Sequence, residues 1–123
     1  MELQERTLRF AASVVRACRF LPKSFEGRHV ADQLFRAATS VAANYRASCR
    51  ARSRKEFAAK IGLVVEETDE TKFWLTFAIR ITILSGPGVQ RLTEEADELV
   101  AIFYKTRETA LQHLRTSAEK QRP

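Results

Sequence analysis

Arg46, Arg50, Arg52, Arg54, Lys55 and Lys60 fall between Asn44 and Lys60, a stretch with a single acid, Glu56. That stretch holds five of the chain's six net positive charges, so the rest is close to neutral. A concentrated basic patch points to an anionic partner more than a diffusely basic surface does. Arg46 and Arg50 stand one helical turn apart and can reach the same phosphate backbone. Arg54 and Lys55 open a helix whose free amides also favour anions. The chemistry is phosphate binding, with Arg46, Arg50, Arg52, Arg54 and Lys55 as the candidate nucleic-acid-binding residues. RNA and DNA fit equally. An acidic protein surface is the other partner this patch suits. Tyr45 could stack a base, but it lies on an apolar stripe and reads as core.

Catalytic patterns are sparse. Arg107 and His113 form Arg-x5-His, which resembles the Arg-x4-6-His motif of the HEPN ribonucleases. There the histidine acts as acid and base and the arginine holds phosphate. Glu108 follows the arginine where that family usually has Asn, Asp or His. With fifteen arginines in 123 residues, the spacing is also easily met by chance. His113 is expected as an exposed or boundary helix residue, and a HEPN-like ribonuclease ranks below the binding readings. Glu26 and His29 have the Glu-x-x-His spacing of di-iron bundles, but no second copy exists and Gly27 disfavours a helix at Glu26. No glycine-rich phosphate loop, nucleophile elbow or zinc-type Cys/His cluster is present. Cys18 and Cys49 lie in apolar helical patterns and read as reduced cysteines in or near the core. The expectation is a non-enzymatic protein with no cofactor and no metal.

Long helices must position these groups. Four glycines and three prolines punctuate the chain rarely. Leu3, Thr7, Phe10, Val14, Ala17 and Leu21 predict a first helix over about 3–19, closed by Pro22. Val30, Leu34, Ala38, Val41, Tyr45 and Ser48 predict a second over about 28–50. Its Ala37, Ala38, Ser40, Ala42, Ala43 and Ala47 form a small-residue face that another helix could approach closely.

Ser53-Arg54-Lys55-Glu56 is a capping box. It starts a third helix whose stripe reads Phe57, Ile61, Val64, Val65, then Trp74, Phe77, Ile81 and Leu84, ending at Gly86-Pro87-Gly88. Its acidic middle, Glu66-Glu67-Thr68-Asp69-Glu70, reads as a solvated face, with intersubunit salt bridges as the sharper alternative. Thr93, followed by Glu94, Glu95 and Asp97, predicts the cap of a fourth helix running to about 117.

Four amphipathic helices with short connections and no alternating strand pattern predict an all-α, antiparallel up-down four-helix bundle. It forms one domain over 1–118, with 119–123 as a frayed tail. The tight turn after the second helix gathers the basic cluster at one end of the bundle. No run approaches the ~18 apolar residues of a membrane span. The charged start has no apolar signal region, so a cytoplasmic protein with no membrane contact is expected.

Leu21-Pro22-Lys23, Asp32-Gln33-Leu34, Arg36-Ala37-Ala38-Thr39-Ser40-Val41, Asn44 and Ser53-x-x-Glu56-Phe57 occur in an order and spacing that carry a resemblance. The chain resembles the four-helix-bundle family encoded in intervening sequences of bacterial 23S ribosomal RNA genes. The resemblance implies an up-down bundle that assembles with copies of itself into a ring, a homopentamer. It also implies relation to the accessory proteins of diversity-generating retroelements, basic barrels that bind a reverse transcriptase and nucleic acid. A protein–protein adaptor for a reverse transcriptase or another acidic partner is therefore the alternative to direct nucleic-acid binding. Ala38, Val41, Ala42 and Tyr45 on the small face are the expected oligomer interface. Two departures matter. Arg46-Ala47-Ser48 stands where the family often has Ala-Glu-Gly, and Lys72 stands where it usually has an acid.

Overall fold

The computed structural model describes residues 1–121; Arg122 and Pro123 of the expected frayed tail lie outside them. Helix α1 spans Leu3–Cys18, with the Glu2 carboxylate accepting the Gln4 amide at 2.6 Å. Helix α2 spans Phe25–Ser48 and begins earlier than its spacing suggested. Ser24 caps it by accepting the Gly27 amide at 3.2 Å, so Glu26 and Gly27 both lie in its first turn. Gly27 is required there: a Cβ would stand 2.0 Å from the Pro22 carbonyl oxygen.

Helix α3 spans Arg54–Arg80 and starts at the expected capping box. Ser53 Oγ accepts the Glu56 amide at 3.0 Å, and the Glu56 carboxylate accepts the Arg52 amide at 3.2 Å, one residue before the cap. The helix stops before Leu84 because Thr82 turns left-handed, at φ 63°. The Ile83 amide then bonds the Ala78 carbonyl and the Thr82 amide bonds the Ile79 carbonyl, a Schellman closure. Helix α4 spans Pro87–Lys120. Pro87 opens it, since proline lacks the amide that a first turn would leave unbonded. Thr93 is therefore not a cap; its hydroxyl bonds back to Val89 O at 3.0 Å within the helix. The helix also runs past residue 118, through Glu119 and Lys120 of the expected tail.

No strand occurs among the described residues. Contacts run in opposite order along neighbouring helices. His29 meets Trp74 and Arg36 meets Glu67 and Glu70 between α2 and α3. Lys72 meets Asp97 and Arg54 meets Ser117 between α3 and α4. The helices follow one another around a square, with α1 and α4 touching least and neither diagonal pair close at the backbone. Phe103, Leu34, Ile61, Leu75, Leu99, Val14 and Val41 fill the fully buried centre. Thr7, Thr68 and Thr71 share it, because each hydroxyl bonds the carbonyl of the residue four before it.

Those threonines correct one expected stripe. The buried line of α3 runs Ile61, Val64, Val65, Thr68, Thr71, Leu75 and Ala78. Reading Thr68 and Thr71 as polar loses the helical phase and lands on Trp74 and Phe77. The structure leaves Trp74 half-buried and Phe77 exposed.

Candidate nucleic-acid interface

The turn between α2 and α3 is tight because α2 unwinds into short-range bonds. The Arg50 amide reaches Ala47 O and the Ala51 amide reaches Ser48 O, both at 3.1 Å. Ser53 then starts α3 at once. This reversal places the basic cluster at the end of the bundle where α4 also finishes. Arg54 crosses to α4 and donates from Nη1 to Ser117 Oγ at 2.9 Å.

Between the hairpin and α4 lies an open groove of about 710 Å³. Arg52, Ser53, Arg54 and Phe57 form one wall, and Lys105, Thr106, Thr109 and His113 form the other. No carboxylate lines it. Arg54 and Lys105 have no acid within 4 Å among the described residues, whereas Arg52 approaches Glu56 at 3.8 Å and stays 91% exposed. Two cations, a third partly shared, and side-chain hydroxyls suit the oxygens of a phosphate chain.

Of the five expected phosphate-binding residues, the structure brings Arg52 and Arg54 to this groove. Arg46, Arg50 and Lys55 are exposed near it but do not line it, and none has an acid partner among the described residues. Sequence reasoning missed the α4 wall. The available signal was Lys105, Thr109 and His113 recurring every four residues, which sets them on one helical face. His113 lines the groove and Arg107 does not, so the two members of the Arg-x5-His pattern do not share it. His29 packs edge-on against Trp74 at 5.5 Å between ring centroids. No group of three or more potential metal ligands clusters among the described residues.

The expected oligomer interface meets a physical obstacle. Ala38 and Val41 are 0% exposed and belong to this chain's own core, so they have no surface left for a second copy. The close approach that small residues permit is used inside the chain, where α2 packs against both α1 and α3. Ala42 and Tyr45 are half-buried against the same core. The Tyr45 ring lies 5.2 Å from that of Phe103, and burial, with help from Cys49, pushes its hydroxyl up to about 12. No described helix is long and apolar enough to cross a membrane.

The family model described as 23S rRNA-intervening sequence protein matches residues 1–105. A solved structure from Bacteroides thetaiotaomicron, described as a protein with unknown function from the S23 ribosomal protein family, aligns with a TM-score of 0.78. It is 24% identical and covers 86% of this chain and 98% of its own. That likeness establishes the fold. No curated protein matches the chain. The family match ends at Lys105, so Thr109 and His113 of the groove lie beyond it.

Proposed function

The chain belongs to the 23S rRNA-intervening sequence protein family, and we propose that it is a non-enzymatic, self-associating four-helix bundle that binds RNA or DNA through its basic end. The observation that carries this reading is the groove between the α2–α3 hairpin and α4, lined by Arg52, Arg54 and Lys105 and by no carboxylate. Arg54 and Lys105 take phosphate oxygens within the groove. Arg46, Arg50 and Lys55 extend the track over the hairpin. Thr109 and Ser53 add hydroxyl contacts. Contacts of this kind position a nucleic-acid backbone without reading its bases, so little sequence preference is expected.

In this reading the protein acts in the cytoplasm and assembles as a ring, a homopentamer. Several basic ends in one particle raise avidity for a long nucleic acid without any new contact. A particle of about five times 14.0 kDa in light scattering tests the ring.

The deciding experiment is fluorescence anisotropy with labelled single-stranded RNA and duplex DNA over a salt series. The parent should lose affinity linearly in log–log form, with a slope of about −0.7 to −0.9 per neutralised phosphate. The pair Arg54→Glu and Lys105→Glu should weaken binding to all sequences and flatten that slope, with the helical circular dichroism intact. Unchanged affinity in that pair would sink the groove assignment. Binding of an acidic protein that short oligonucleotides fail to displace would favour the adaptor reading. RNA cleavage lost in His113→Ala would favour a ribonuclease.

A further inference from the structure

The groove beside the basic hairpin is cationic at its rim and apolar in its depth. Arg52, Arg54, Lys105, Thr109 and His113 are exposed. Beneath them Ala51 and Phe57 are half-buried and Ala110 is buried. Charge and hydroxyls at the rim suit phosphate oxygens, but a phosphate chain alone would leave the apolar depth facing water. A volume of about 710 Å³ lies within the ~300–1,000 Å³ of sites that enclose a small organic group. A flat ring with an apolar face, carried on a phosphate, satisfies both parts. That is the chemistry of a nucleobase in a strand.

The two walls each bring a ring. The capping box fixes where α3 starts and so places Phe57 in its first turn. Phe57 packs against the core and also lines the groove. His113 lines the opposite wall from α4. Arg54 spans the two walls through its bond to Ser117, which holds them in register. Two acids stand nearby. Glu56 is engaged by Arg52, through its side chain at 3.8 Å and its backbone amide at 3.2 Å. Glu108 borders an adjoining depression on α4 in company with Lys105 and Arg115, and it does not line the groove. The local balance therefore stays positive.

We propose that the groove takes single-stranded nucleic acid, with an unpaired base turned in against the Phe57 ring and His113 facing it from α4. The flanking phosphates lie on Arg52, Arg54 and Lys105. A duplex has no unpaired base to turn in, because its bases are stacked on one another and paired. Stacking tolerates any sequence, since every base has a π face. A mononucleotide carries the same chemistry, but Arg46, Arg50 and Lys55 continue the positive charge over the hairpin, so the occupant is a strand. This inference rests on the proposed nucleic-acid binding and names the class of nucleic acid that the groove prefers.

Removing bases while keeping phosphates tests it. Fluorescence anisotropy compares a labelled oligothymidylate, an abasic strand of the same length and a duplex of the same length. The parent should bind the base-bearing strand roughly tenfold more tightly than the abasic one. The two salt slopes should match, because both strands present the same phosphates. Phe57→Leu keeps an apolar side chain on the core but removes the ring. It should erase the preference with the helical circular dichroism intact. As a second measurement on the parent, a strand bearing iodouracil should crosslink under ultraviolet light to Phe57 or His113, read by peptide mass spectrometry. Equal binding of base-bearing and abasic strands overturns the stacking and leaves phosphate binding standing. A mononucleotide that binds as tightly as the strand, or a duplex that binds more tightly, overturns the ligand class. Crosslinks confined to other residues overturn the placement. A parent that binds none of the probes overturns the proposed nucleic-acid binding as well.

Discussion

Arg6 on α1 grips Glu95 on α4 through two hydrogen bonds, from Nε at 2.8 Å and from Nη2 at 2.6 Å. Nη2 also reaches Glu98 at 3.1 Å. Among the described residues these are the only ion pairs across the open side of the bundle. Both Arg6 and Glu95 are partly shielded from water, so the pair has more effect than an ordinary surface bridge.

Glu95→Gln should therefore cost about 1 kcal/mol at neutral pH. The Arg6 hydrogen bond holds the Glu95 carboxyl below its ordinary value, overcoming the opposing effect of burial. A carboxyl with a lowered folded pKa contributes stability that is complete above its unfolded value and is lost as pH falls through the folded one. The stability difference between parent and variant, measured by urea denaturation at several pH values, should be full at neutral pH. It should close as the solution is acidified below the usual carboxylate range. A difference independent of pH would show that the pair contributes packing and no charge.

Two glycines in helices should respond oppositely to alanine. Gly27→Ala pushes a methyl into the Pro22 carbonyl, 2.0 Å away, and backbone cannot yield as a flexible side chain can. It should destabilise by about 1–3 kcal/mol, in the range of other overpacking changes. Gly62 lies within α3 with nothing inside 4 Å of the added atom. Gly62→Ala should stabilise by about 0.5–1 kcal/mol through helix propensity. Thermal melts of the two variants decide this, and equal shifts would refute the packing argument for Gly27.

Thr82 holds a left-handed backbone that a β-branched residue adopts at a cost. Thr82→Gly should relieve about 1 kcal/mol of strain, reduced by the extra freedom glycine gives the unfolded chain. The measured signature is a raised denaturation midpoint with an unchanged slope. A lowered midpoint would mean that the Thr82 hydroxyl bond to Ile81 O, at 2.6 Å, outweighs the strain.

The two thiols should differ in reactivity. Cys49 is exposed, while burial pushes the Cys18 thiol up to about 11. Iodoacetamide at mildly alkaline pH should label Cys49 and spare Cys18, as read by peptide mass spectrometry. The fold disfavours the Cys18 thiolate, so the stability this thiol contributes is present at neutral pH. It is lost as pH rises from the ordinary 9.0 toward 11. Cys18 labelling should rise over that interval, and equal labelling of both thiols at neutral pH would refute its burial.

Helix count, order and antiparallel hairpins were legible because apolar residues recur at helical spacing and Ser53 begins a capping box. The boundaries were less so. Gly27 and Pro87 look like breakers in one dimension. In space, Gly27 makes room for Pro22, and Pro87 sits in the first turn, where an amide would find no carbonyl of its own helix. Thr68 and Thr71 hid the core line of α3, since a hydroxyl that bonds its own helix can be buried although its residue type is polar.

By itself, the sequence determined that the chain is a helical bundle with its excess charge at one hairpin, since helical periodicity and charge position are local properties of the order of residues. Only the tertiary structure decided which groups share a site. Lys105, Thr109 and His113 are about fifty to sixty residues from Arg52 and Arg54 along the chain. They meet across one groove because α4 runs antiparallel to α3 and reaches past the α2–α3 turn. The same is true of the small face of α2. Its composition permits close approach, but only packing shows that Ala37 and Ala38 are buried inside the same chain while Ala43 stays exposed. Neighbours across a bundle are set by how several helices share a limited apolar surface, and no single helix carries that information.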